Sequence, residues 1–124
     1  MAGPRPGGPV RGSQSGRPLM AALDLLGRRW ALRILWELRL GPLGPRELRA
    51  RCDAMSPSVL YQRLRELIGA GLVAKDESDR YALTALGSDL GEAIQPLERW
   101  SRSWAGHVGG ESEAGSESGG AGAR

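Results

Sequence analysis

Phenylalanine is absent from the 124 residues and tyrosine occurs twice, so the core must be built from aliphatic side chains and four tryptophans. A single cysteine, Cys52, excludes an intrachain disulfide. No apolar run approaches the roughly 20 residues that a membrane-spanning helix needs. The N-terminus lacks the apolar stretch of a signal peptide, and a reducing, cytoplasmic setting is the expectation. Histidine occurs once, as His107, which leaves a metal site unsupported. No phosphate-cradling glycine loop, no His-Glu-x-x-His and no paired cysteines are present. Without a cluster of nucleophile, base or metal ligands, an enzyme is not expected, and no cofactor is implied.

What is present is arginine, unevenly spread. Lysine occurs once and asparagine not at all. The formal charge is +3, but residues 17–70 hold ten arginines against five acidic residues, whereas residues 71–108 hold four basic and six acidic residues. Positive charge gathered in one stretch suggests an anionic partner, with a solvated basic face as the plain alternative.

The two ends, residues 1–16 and 109–124, are rich in Gly and Ser and offer little to bury. Neither can offset its ordering entropy, so both are expected to be disordered tails. The expected folded unit is a single domain over residues 17–108.

Within it, Leu19, Leu23 and Leu26 share a helical stripe that Gly27 ends or bends. Trp30, Ile34, Leu35 and Leu38 resume the helical spacing, and GPLGP at 41–45 stops it. A short helix follows over 45–52, exposing Arg46 and Arg49 and turning Leu48 inward. After the DAMS turn, Ser56 and Pro57 supply an N-cap hydroxyl and a proline at the first helical position. That helix should run to about Ile68, before GAG at 69–71. Next, two short apolar runs, Leu72–Lys75 and Arg80–Leu83, flank DESD and predict a hairpin. The last helix carries Leu86, Leu90, Ile94, Leu97, Trp100 and Trp104 at near 3.5-residue spacing, which suits packing on another helix. Pro96 should kink it rather than end it. The fold class is thus mainly α with a small β-hairpin (α+β).

The helix at 56–69 is the informative one. At 100° per residue, Leu64 and Leu67 fall within about 40° of Leu60 and define a core edge. Ser58, Gln62 and Arg65 lie opposite, flanked by Tyr61, with Arg63 on the boundary. Gln pairs with adenine, Arg with guanine, and Ser with a base or a phosphate. A short helix, a tight turn and a longer capped helix make a helix-turn-helix, and the following hairpin makes it a winged helix. In that arrangement the second helix enters a major groove by its N-terminal end. Ser56 and the free N–H groups beside it would face a phosphate.

The order LDLLGRRWALRILWEL, GPLGPRELRAR, MSPSVLYQRLRELIGAGLV, YALTALG resembles the HxlR-type transcriptional regulators, relatives of the MarR group, over about residues 17–105. The resemblance implies a homodimeric winged-helix regulator of double-stranded DNA, with the N- and C-terminal helices forming the dimer interface. By position it assigns Ser58, Tyr61, Gln62 and Arg65 to the groove. Arg46, Arg49, Ser56 and Arg63 become phosphate contacts, and Leu86, Leu90, Ile94, Leu97, Trp100 and Trp104 the dimer interface; Arg80, behind the wing tip, is expected to reach a further backbone phosphate. Repression at a pseudo-palindromic operator is the expected activity, with a small aromatic effector as a candidate further partner. A winged-helix protein-interaction module without sequence-specific DNA binding is the alternative. Two departures stand out. The family's cysteine before the first helix is replaced by Arg17-Pro18, and the short wing has the acidic tip DESD, ill-suited to a minor groove. Cys52 is expected to be a buried packing residue, and Arg29 to make a structural ion pair.

Overall fold

A computed structural model describes residues 3–11 and 16–114, with side chains through residue 109. The order is α1 (Pro18–Leu26), α2 (Ala31–Leu38), α3 (Pro45–Arg51), α4 (Pro57–Gly69), β1 (Val73–Lys75), β2 (Tyr81–Leu83) and α5 (Ala85–Ala114). The strands pair antiparallel, with Ala74 opposite Ala82, and a further bridge joins Leu43 to Tyr81. This is the winged helix-turn-helix expected from the spacing of apolar residues. The described residues fall into two units that divide after Gly91.

The first unit holds the core. Ile34, Leu38, Leu48, Cys52, Leu60, Leu64, Leu67 and Val73 are all essentially inaccessible. Each such leucine contributes about 1.5–3 kcal/mol of gross burial energy, so four elements are bound through one shared apolar centre. Trp30 packs against this core from the side, partly exposed.

α2 begins later than its apolar period suggests. Trp30 has φ 78°, a left-handed conformation that no helix interior tolerates, and the helix starts at Ala31. A bulky residue there costs on the order of 1–3 kcal/mol and persists only where its surroundings over-determine it. Here backbone hydrogen bonds bracket it: Ala31 N–H donates to the Arg28 carbonyl, and Ile34 N–H to the Trp30 carbonyl.

The entry to α5 explains the LTALG stretch. Thr84 Oγ1 donates to the Gly71 carbonyl at 2.6 Å and accepts from Gly87 N–H at 3.0 Å, capping the helix. Gly87 is buried, and a Cβ there would lie 2.1 Å from the Leu72 carbonyl oxygen. The helix N-terminus can reach the strand only because that position has no side chain.

In the second unit α5 runs through Pro96 as one helix to Ala114, past the boundary expected at residue 108. Trp100 and Trp104 stack there, with ring centroids 5.6 Å apart. Both are about half exposed, as are Leu97 and Val108. Leu90 is half-buried and packs against the core of the first unit.

Residues 3–11, expected within a disordered tail, make defined contacts. Arg11 donates to the Asp24 carboxylate from its backbone N–H at 3.0 Å and from Nε at 2.7 Å. Asp24 is itself buried in α1, so the arginine is what keeps its charge compatible with burial. The rest of the two tails (residues 1, 2, 12–15 and 115–124) lies outside the described residues.

Gly87→Ala should lower the unfolding free energy by about 1–3 kcal/mol in urea melts, because a backbone oxygen must move. Gly91→Ala, whose Cβ meets nothing within 4 Å, should be neutral or stabilising. The Arg11 N–H groups also hold the Asp24 carboxyl below its ordinary range. A lowered value means stability present above the unfolded-state pKa and lost as pH falls through the folded one. Arg11→Ala should therefore lower the melting temperature at neutral pH, and the difference should vanish once Asp24 is protonated in both proteins.

Candidate nucleic-acid interface

α3 and α4 are joined by a turn that two successive left-handed residues make tight: Asp53 has φ 58° and Ala54 φ 56°. Arginines hold that turn. Arg49 Nε donates to the Met55 carbonyl at 2.8 Å, and Ala54 N–H donates to the Arg49 carbonyl at 2.8 Å. Arg33 pairs with Asp53 at 3.2 Å and also donates to the Arg51 carbonyl. The turn fixes the angle at which α4 leaves α3, and with it what α4 presents outward.

α4 starts as its sequence predicts. Ser56 is the N-cap, and its Oγ accepts from Val59 N–H at 3.3 Å. Its hydroxyl proton is then directed elsewhere, and Ser58 Oγ lies 3.5 Å away. Leu60, Leu64 and Leu67 are 0–1% exposed, so the apolar edge is fully used. Ser58, Tyr61, Gln62 and Arg65 are all exposed on the remaining surface. Among the described residues, Gln62 and Arg65 have no hydrogen-bond or ion-pair partner; their polar ends face outward. Arg46 on α3 is likewise exposed and unpaired among the described residues.

Three expected phosphate contacts are otherwise engaged. Arg63 is half-buried; its Nε donates to the Arg29 carbonyl at 2.8 Å and its Nη1 pairs with Glu66 at 3.1 Å. Its guanidinium closes an internal contact. Arg49 is half-buried at the turn described above. Arg80, though exposed, folds back from the hairpin to the Pro42 carbonyl at 3.1 Å. The hairpin tip is closed locally, Asp76 accepting from the N–H groups of Ser78 and Arg80 at 2.8 and 3.0 Å. Asp79 lies 3.5 Å from Lys75 Nζ at the same tip.

The ion pair expected at Arg29 is made by its neighbour: Arg28 Nη1 lies 3.3 Å from Glu66 Oε2. The Arg29 guanidinium instead sits 5.4 Å from the centroid of the Trp30 ring. Glu66 is the residue the sequence pattern does not flag. About 120° from the Leu60 edge, it looks like a solvated position, yet it is 5% exposed. The only hint in the chain is its spacing, three residues after Arg63 on the same helix. Cys52 is fully buried, as expected of a packing residue, and burial raises its thiol pKa.

Comparison with known proteins decides the lineage. Residues 25–108 match the HxlR-like helix-turn-helix family. This chain belongs to that family. The uncharacterized HTH-type transcriptional regulator YvaP of Bacillus subtilis is 30% identical over 89 residues, spanning 67% of this chain and 82% of that protein. Among solved structures, quinone-bound YodB from B. subtilis is similar with a TM-score of 0.65 and 29% identity, covering 68% of this chain and 94% of YodB. A MarR-family transcriptional regulator from Enterococcus faecalis V583 is similar with a TM-score of 0.64 and 28% identity, covering 79% of this chain and 94% of that one. The protein is an HxlR-type helix-turn-helix transcriptional regulator, and DNA binding comes with that family. Its relatives are transcriptional regulators rather than enzymes. No helix among the described residues is long and apolar enough to cross a membrane.

Proposed function

We propose that this regulator acts as a homodimer, two copies of α4 reading successive major grooves of a pseudo-palindromic operator and repressing the adjacent promoter. Two half-sites would lie about 34 Å apart, one helical turn of the duplex. The observation that carries the reading is the division of α4: leucines wholly buried on one edge, and Ser58, Tyr61, Gln62 and Arg65 exposed on the rest. In this reading Gln62 and Arg65 read base edges, Ser58 and Tyr61 support them, and Arg46 with Ser56 fixes the backbone register. Arg63, Arg49 and Arg80 hold the protein's own loops and contribute to DNA affinity mainly through their charge.

The half-exposed Leu97, Trp100 and Trp104 of α5, with Leu86 and Ile94, supply apolar surface for a second copy. The N-terminal helix adds Leu19 and Leu23, which are 65% and 54% exposed. An aromatic effector would meet the Trp100 and Trp104 pair, whose stacked indoles offer flat faces to a flat ligand. With the sole cysteine buried, such a ligand would bind without forming a thiol adduct.

Selection of bound duplexes from a random pool should recover an inverted repeat. On that duplex, Gln62→Ala or Arg65→Ala should each cost about 1–3 kcal/mol and relax the preference at one base position. Arg46→Ala should weaken cognate and random duplexes alike and flatten the salt dependence. Equal losses on both duplexes for all three variants would overturn the assignment of roles.

A further inference from the structure

Apolar contacts hold α4 against the core but resist rotation about its axis only weakly, since burial is non-directional. Two directional side-chain contacts tie α4 to another element, and they run through Glu66 and Arg63. Glu66 Oε2 accepts from Arg28 Nη1 at 3.3 Å, and both its oxygens accept from Arg63 Nη1, at 3.1 and 3.2 Å. Arg63 Nε then donates to the Arg29 carbonyl at 2.8 Å. The recognition helix is thereby tied twice to the turn between α1 and α2, the same turn that holds Trp30 in a left-handed conformation. Residues near the N-terminus cover the pair: a Cβ on Gly3 would lie 3.1 Å from the Cβ and Cγ of Glu66.

A buried ion pair of this kind adds little net stability but selects one geometry over its neighbours. The geometric leverage is large. A side-chain tip some 6 Å from the helix axis moves about 2 Å when the helix turns by about 20°. That exceeds the tolerance of a bidentate contact to a base, whose hydrogen bonds need about 2.7–3.2 Å.

We propose that Glu66 is a positioning residue for DNA reading: held by Arg28 and Arg63, it sets the rotation of α4 and hence the reach of Gln62 and Arg65. This rests on the groove-reading role proposed above. Glu66 touches no base and no phosphate, so its effect falls on specificity and leaves the electrostatic part of binding intact. Arg28, outside the helix-turn-helix, shares the role because it anchors the carboxylate to a different element.

The test compares wild type with Glu66→Gln, Glu66→Asp and Arg28→Gln in the full chain, on a selected duplex and on a random one. Glu66→Gln should weaken binding to the selected duplex about tenfold, leaving random-duplex affinity and the salt slope within about twofold of wild type. Glu66→Asp, which keeps the charge, should recover part of the preference. Arg28→Gln should lose it without removing the Arg63 pair. A lower melting temperature with an unchanged ratio of selected to random affinity would overturn the proposal, since a merely structural residue gives that pattern. Amide hydrogen exchange in the free protein is an independent measurement. Faster exchange in α4 than in α2 for Glu66→Gln supports the proposal, and wild-type rates in both helices overturn it. If wild type selects no duplex, the groove-reading role fails, and the exchange result still decides whether Glu66 fixes α4.

Discussion

Burial of three leucines on one edge of α4 is the constraint from which the rest of the site follows. Leu60, Leu64 and Leu67 occupy positions that return to the same side of a helix, and all three are inaccessible. Once that edge is committed to the core, the opposite edge has no choice but to face outward. The polar residues there are Ser, Tyr, Gln and Arg, which suit base edges better than the Glu and Lys mixture of an ordinary solvated helix. Sequence and packing are thus two aspects of a single amphipathic segment, and the proposed base reading depends on both.

Positive charge in this protein is divided between two tasks. Arg33 and Arg49 brace the strained turn between α3 and α4, Arg28 and Arg63 grip Glu66, and Arg80 returns to the Pro42 carbonyl. Arg46 and Arg65 stay outward. Counting arginines correctly indicates an anionic partner, since charges used internally still shape the surrounding field. It overstates how many side chains are free to touch that partner. The acidic carboxylates Asp24 and Glu66 show the same economy, each buried and each answered by an arginine from another part of the chain.

Much of the architecture was legible because it is written in local spacing. The N-cap and proline at Ser56-Pro57, the leucine period of α4 and the apolar runs around DESD each specify an element within a few residues, and α4 and the hairpin lie where they were expected. What spacing cannot convey is long-range pairing. Arg63 sits on the boundary of the helical wheel, and only the approach of the α1–α2 turn decides that it points to Glu66 and the Arg29 carbonyl. Glu66 looks exposed for the same reason. Trp30 continues an apolar period but starts no helix, because its backbone is left-handed. Arg11 reaches Asp24 across 13 residues, a contact invisible to composition, which marks that stretch only as poor in apolar groups. Leu90 shares the stripe of α5 with Leu97 and Trp104, yet it is half-buried against the first unit's core while they are exposed.

The outward edge of α4 is the central claim, and backbone amide chemical-shift mapping during titration with a selected duplex tests it most directly. The account predicts that the largest changes fall on Ser56, Ser58, Tyr61, Gln62 and Arg65, with small ones at the tip from Asp76 to Asp79. Changes centred on the wing or on α5, with the outward edge of α4 silent, would contradict it.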